Sequence, residues 1–213
     1  MVLWSIWKNR NSQLWEDKKQ RPIEAAMLSL GWYNDFKKAN GSEATQQRQV
    51  MHWTKPEQGW FKCNSDGAYI ASSRRGGCGM VIRDERGDFV AAAVKPCLQL
   101  TLPFHAELMA LLEGMKLAET LNYCKVIFET DCLLLVHALT QSAADLSSLG
   151  LILNEVKEIM SRHPEFRLIH AQREANRVAH VLANHAQTSC ESQSWFVFAP
   201  EMIRDAILND CNR

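Results

Sequence analysis

Apolar and polar positions change their period several times along the chain, and the changes mark out its elements. Residues 60–69, Trp-Phe-Lys-Cys-Asn-Ser-Asp-Gly-Ala-Tyr, alternate and open on aromatics, the pattern of a strand. Ala71 to Gly77 reads as a turn-rich loop, Cys78 to Arg83 as a second strand and Phe89 to Val94 as a third. Between the last two, Asp84 to Asp88 carries Gly87 near the tip of a hairpin turn. Pro96 to Pro103 is a connection. From His105 to Leu121 the period lengthens to that of a helix, with Leu108, Leu111, Leu112, Met115, Ala118 and Leu121 on one side. Lys125 to Glu129 is a short apolar strand of the kind buried on both faces. Helices follow at Leu133–Leu139 and Leu149–Ser161, a strand at Phe166–His170 and a helix at Ala175–Gln187. Trp195–Phe198 and Pro200–Leu208 form an end piece. A meander followed by alternating helices and strands predicts an α/β (α+β mixed) fold, a mixed sheet with helices on its faces.

Ahead of this lies a different segment. Trp4, Trp7, Leu14 and Trp15 fit one stripe of a helix over residues 1–22, and residues 23–38 fit a second amphipathic helix. Residues 39–52 are polar and unpatterned, a linker. The expected organisation is an N-terminal helical extension and linker over 1–52, a domain over 53–190, and a C-terminal tail with a short helix over 191–213.

Composition adds limits. With 46% hydrophobic residues among 213, the chain can bury a core. Its formal net charge is zero, so the whole molecule is no electrostatic magnet for nucleic acid. The first 58 residues carry nine Lys/Arg against six Asp/Glu and are the basic end. The seven cysteines form no C-x-x-C pair, which favours free thiols in a reducing compartment. No run reaches the roughly 18 apolar residues of a membrane span, and no secretory signal is expected. The expected location is intracellular, nuclear or cytoplasmic, without membrane contact.

Three acids then stand out. Asp66 interrupts the first strand, and a buried carboxylate is costly unless a metal, a partner or water meets it. Its neighbours Gly67 and Ala68 are small enough to leave room for an approaching group. Glu107 is expected in the first turn of the long helix, where an acid ordinarily complements the helix dipole. Asp131 follows the fourth strand, where an acid ordinarily caps the next helix. If the fourth strand pairs with the first across a right-handed crossover, the three carboxylates converge. They then repel one another unless cations neutralise them. Oxygen ligands suit Mg²⁺ or Mn²⁺, and two such ions about 4 Å apart can hold the attacking and leaving oxygens of a phosphodiester.

Asn64-Ser-Asp-Gly-Ala68, His105-Ala-Glu-Leu-Met-Ala-Leu111, Glu129-Thr-Asp131 and Arg173-Glu-Ala-Asn-Arg-Val-Ala-His-Val-Leu-Ala183 together resemble the type 1 ribonuclease H domain, in the form found in plant non-LTR retroelements and proteins derived from them. The resemblance covers about Trp53 to Cys190. It implies a five-stranded mixed sheet with the first strand central, and hydrolysis of the RNA strand of RNA–DNA hybrids. It assigns Asp66, Glu107 and Asp131 to two bound Mg²⁺ or Mn²⁺ ions. The family's fourth carboxylate falls on His180, which is a departure. His170 falls where some members carry a proton-shuttling histidine, and Asn176 matches an asparagine of the following helix.

His180 shares a polar helix stripe with Asn176 and Asn184. It is either a metal ligand, better suited to Mn²⁺, or the remnant of a degraded site. Asn64, Ser65, Gly67, Arg74, Arg75 and Asn176 are the candidate substrate contacts, with Arg74 and Arg75 either meeting a phosphate or lying in a solvated turn. A monomer is expected, with the N-terminal aromatic helix a place for a protein partner. Two functions from different classes fit: a metal-dependent endonuclease for hybrids, and a domesticated, catalytically weak or inactive nucleic-acid-binding or interaction module.

Overall fold

The computed structural model describes residues 52–140 and 149–211. The helices expected over residues 1–22 and 23–38, and the linker up to residue 51, lie outside the described residues.

Among the described residues six strands form one sheet: β1 (Phe61–Ile70), β2 (Arg75–Arg83), β3 (Phe89–Cys97), β4 (Val126–Thr130), β5 (Phe166–His170) and β6 (Gln193–Phe196), in the order β5-β4-β1-β2-β3-β6. β1, β2 and β3 form the expected antiparallel meander, while β4 pairs with β1, and β5 with β4, in parallel. The helices among the described residues are α1 (Pro103–Thr120), α2 (Leu133–Thr140), α3 (Gly150–Arg162), α4 (Arg177–Ser189) and α5 (Glu201–Cys211). This is the expected mixed α/β architecture with one strand more than the five expected. The sixth is four residues long and pairs antiparallel with β3, Ala91 opposite Phe196. So short a strand depends on a neighbour's free edge rather than on a periodic pattern of its own.

The end piece also joins the core. Ile203 and Ile207 of α5 pack with Val81, Ala92, Val94, Val178 and Leu182, and Trp195 lies against the same cluster. Segments expected as loops have become strand: β2 begins at Arg75 and β3 runs on to Cys97. The reason lies in the glycines. They are packing positions more than turn positions.

Two close approaches set the site. A Cβ on Gly67 would collide with the backbone of Ala106 and Glu107, so β1 meets the first turns of α1 there. A Cβ on Gly79 would collide with backbone atoms of Ala179 and Ala183, so β2 meets α4. Gly79 lies directly opposite Asp66 in the β1–β2 register. The room that the small residues beside Asp66 were expected to leave for a ligand is thus filled, at Gly67, by helix α1. Gly79→Ala is expected to push α4 away from the sheet and to cost about 1–3 kcal/mol. Thermal unfolding, with a Tm lower by several degrees, checks it.

Helix α1 starts at Pro103, two residues before the expected His105, because proline suits the first helical position. It buries Phe104, Leu108, Leu111, Leu112, Met115 and Ala118 against the sheet. α4 starts at Arg177 rather than Ala175, since Arg173–Ala175 forms a separate 3₁₀ turn and Asn176 is the joint between the two.

Candidate functional site

The parallel register of β1 and β4 aligns Asn64 with Glu129, so Asp66, in the middle of β1, and Asp131, just past the end of β4, come side by side two residues further on. Glu107 reaches them from α1. Its position differs from expectation: α1 begins at Pro103, making Glu107 its fifth residue, and the first turn holds no acid. The helix dipole therefore does not account for it. Nor does Asp131 behave as a simple cap. α2 begins at Leu133, and the N–H of Cys132 donates to the Thr130 hydroxyl at 3.2 Å.

One ligand atom from each of Asp66, Glu107 and Asp131 lies within 4.8 Å of the other two. Asp66 is only 4% exposed. Burial, and then the neighbouring Asp131, push its carboxyl up to about 6, against the opposing hydrogen bond from His180. Burial pushes Glu107 well above the ordinary carboxylate range, reinforced by Asp66 and Asp131 and opposed by a hydrogen bond from the Gly67 backbone N–H. Its Oε2 is buried and has no hydrogen-bond partner. An unsatisfied buried carboxylate oxygen beside two further carboxylates has the donor chemistry of a hard divalent cation site. The residues therefore fit Mg²⁺ or Mn²⁺.

His180 meets this cluster from α4. Its Nδ1 lies 3.0 Å from Asp66 Oδ2 and its Nε2 3.0 Å from Asn184 Nδ2. A neutral ring with its proton on Nδ1 satisfies both bonds. So held, His180 Nδ1 donates to Asp66, and the carboxylates of Asp66, Glu107 and Asp131 are the three groups gathered within 4.8 Å that could hold an ion. The side chain is 38% exposed, on the polar face of α4 as expected. His170 ends β5 in register with Thr130, exposed, at the same end of the sheet but outside the trio.

The candidate substrate contacts divide into two sets. Asn64, Ser65 and Asn176 are interior, at 0%, 1% and 1% exposure, and Gly67 is covered by α1. Arg74 and Arg75 lie at the surface, where Ser73, Arg74, Arg75, Leu98 and Gln99 line an open depression. Arg74 takes a positive φ of 54° and its Nε donates to the Leu100 carbonyl at 3.2 Å, so this loop is tied to the chain after β3.

Sequence reasoning missed two features. Arg173, exposed in the 3₁₀ turn, exerts a favourable field on both Asp66 and Glu107. It stands in the fourth block of the resemblance and could have been read from there. The other is the buried polar group behind the acids. Glu129, two residues before Asp131, turns inward to Lys62 Nζ at 2.8 Å and Asn64 Nδ2 at 2.8 Å. That pairing separates it from the Asp66, Glu107 and Asp131 cluster.

Comparison with known proteins agrees with the geometry. The family described as reverse transcriptase-like matches residues 64–186. An Arabidopsis thaliana protein whose name assigns it provisionally to the ribonuclease H proteins is 25% identical over 217 residues, covering 99% of this chain. The chain spans about a third, 34%, of that relative's length. Among solved structures, ribonuclease H1 of the archaeon Halobacterium salinarum superposes with a TM-score of 0.54 at 22% identity, covering 59% of this chain and 96% of that one. A ribonuclease H1 from a compost metagenome, in complex with an RNA/DNA hybrid, gives 0.55 at 20% identity, covering 61% and 98%. These structural likenesses speak for the fold.

Proposed function

This chain belongs to the reverse transcriptase-like family, and from that premise we propose that it hydrolyses the RNA strand of RNA–DNA hybrids, using divalent ions at Asp66, Glu107 and Asp131. The observation that carries the reading is the buried, unpartnered Glu107 Oε2 among three carboxylates within 4.8 Å. The compost-metagenome relative holds a hybrid in its crystal structure, which supports the substrate class.

Two bound Mg²⁺ or Mn²⁺ ions would supply charge stabilisation and orientation for an in-line displacement at phosphorus. The chain's own groups have separate tasks. Asp66, Glu107 and Asp131 present oxygens to the ions. The Gly67 N–H and the His180 Nδ1 each hold one of those carboxylates by a hydrogen bond. Arg173, beside the acids and exposed, is placed to meet a phosphate. Arg74 and Arg75 are surface cations for a more distant phosphate. His170, exposed at the end of β5, is the group to accept or return a proton at the leaving oxygen.

The test is a panel of labelled RNA–DNA hybrid, duplex RNA and duplex DNA, incubated with the protein in Mn²⁺ and in Mg²⁺. The expected result is cleavage of the RNA strand of the hybrid alone, faster in Mn²⁺, which accepts a nitrogen ligand such as the His180 ring more readily than Mg²⁺ does. His180→Asp is expected to raise the Mg²⁺-supported rate by about 10-fold or more, in the range that groups around metal ligands command. Hybrid binding without cleavage in either ion, by native and His180→Asp protein alike, would favour the binding module.

A further inference from the structure

Behind the carboxylates lies a run of buried amides with only one consistent polarity. Arg83, fully buried on β2, donates from Nη2 to Asn64 Oδ1 at 2.8 Å. Arginine has no acceptor, so the Asn64 oxygen must face it. The Asn64 Nδ2 is then left to donate, and it does so to Glu129 Oε2 at 2.8 Å and to Asn176 Oδ1 at 3.2 Å. That fixes the second amide in turn. Asn176 Nδ2 donates to the Ser65 carbonyl at 2.9 Å and, at a longer 3.5 Å, to Asp131 Oδ1. Asn176 thus bridges the backbone just before Asp66 and the carboxylate of Asp131. It sits at the joint between the 3₁₀ turn and α4 and is 1% exposed.

The other end of the run is unexpected. Arg83 Nη1 pairs with Asp210 Oδ2 at 2.8 Å, and its guanidinium stacks 3.5 Å over the Trp53 ring. Asp210 lies in the last turn of α5, where the helix dipole disfavours an acid. The Arg83 pairing gives it a reason to be there.

We infer that Asn176 and Asn64 are positioning residues for Asp131, and that the directed run Asp210–Arg83–Asn64–Asn176 couples the packing of the C-terminal helix to the metal-binding carboxylates. The inference rests on the proposed function in treating Asp131 as a ligand. Deleting an outer partner of a metal ligand typically weakens binding 10–100-fold. The same variants separate this role from the substrate contact that the sequence suggested for Asn176.

The experiment compares Asn176→Ala, Asp210→Asn and a control, Asp205→Asn, on the exposed side of α5. Two readouts are taken: the Mn²⁺ dissociation constant by calorimetry, and the Asp131 side-chain carboxyl ¹³C resonance in the metal-free protein, assigned with Asp131→Asn. The expected outcome for Asn176→Ala is Mn²⁺ affinity about 10-fold weaker or more, with KM for hybrid unchanged. Asp210→Asn is expected to weaken it several-fold, on the order of the lower end of that range. In both, the Asp131 resonance moves, and in the control neither readout does. An unmoved resonance in a folded Asp210→Asn protein overturns the coupling. A raised KM with unaltered Mn²⁺ affinity in Asn176→Ala overturns the positioning role. If the native chain binds no Mn²⁺, the proposed function fails, and the resonance still decides the coupling. If Asn176→Ala does not fold, Asp210→Asn, at the accessible end of the run, decides it alone.

Discussion

Asp66→Asn is expected to lose hybrid cleavage in both Mg²⁺ and Mn²⁺ by roughly a thousandfold or more, and yet to melt at a higher temperature than the native protein when metal is absent and the pH is above 6. The first half follows from removing a charged oxygen ligand. The second follows from the carboxyl pushed up to about 6 by burial and by Asp131. A group whose folded-state pKa lies above its ordinary value binds a proton more tightly folded than unfolded. Its ionised form therefore opposes folding. That cost is fully present above about pH 6 and is relieved as the pH falls through 6 towards the unfolded value of 3.8. Asparagine has no such charge, so the variant should gain on the order of 1–3 kcal/mol at pH 8 and little at pH 4. Saturating Mn²⁺ should reverse the order, since it binds the native fold alone. Melting curves at pH 4, 6 and 8, with and without Mn²⁺, check all three statements. A native protein that melts above Asp66→Asn at pH 8 without metal would contradict them.

Asn64→Asp, a change of one atom, is expected to destabilise the fold by about 3–5 kcal/mol. The asparagine Nδ2 donates to Glu129 Oε2 at 2.8 Å and to the Asn176 oxygen at 3.2 Å. In the aspartate both become oxygen facing oxygen, in a place with no exposed surface. Lys62, which pairs with Glu129 at 2.8 Å, cannot neutralise two carboxylates at once. Arg83 would gain an anionic partner, but it already has Asp210. Protonation of the new acid would relieve the clash, so the loss should shrink as the pH falls. Denaturant unfolding at pH 5 and pH 8 measures both. A variant as stable as the native chain at pH 8 would mean that the interior group is wetter than its burial implies.

Much of the site was legible because it is built from long-range consequences of simple patterns. An apolar strand, a crossover helix and a meander permit the fourth strand to pair with the first, and the β1–β4 register then carries Asp66 to Asp131. Other parts were hidden for definite reasons. Asn64 and Arg83 alternate along strands as solvent-facing residues do. Only α4 and α5, more than a hundred residues later, turn that face inward. The helix end that moved Glu107 out of the first turn depends on Pro103, whose start signal the apolar period overrode. β6 has too few residues to show a period, and its pairing depends on an edge made by β3. At His180 the family pattern and the chain disagree, and only the structure gives the ring a partner, Asp66.

The most direct measurement is Mn²⁺ binding by the native chain, followed by calorimetry and by the electron paramagnetic resonance signal of the free ion, with Asp66→Asn and Glu107→Gln alongside. Saturable binding that both substitutions weaken by about 10-fold or more is the predicted result. Binding that neither substitution alters, or no binding by folded native protein, would contradict a metal centre at Asp66, Glu107 and Asp131.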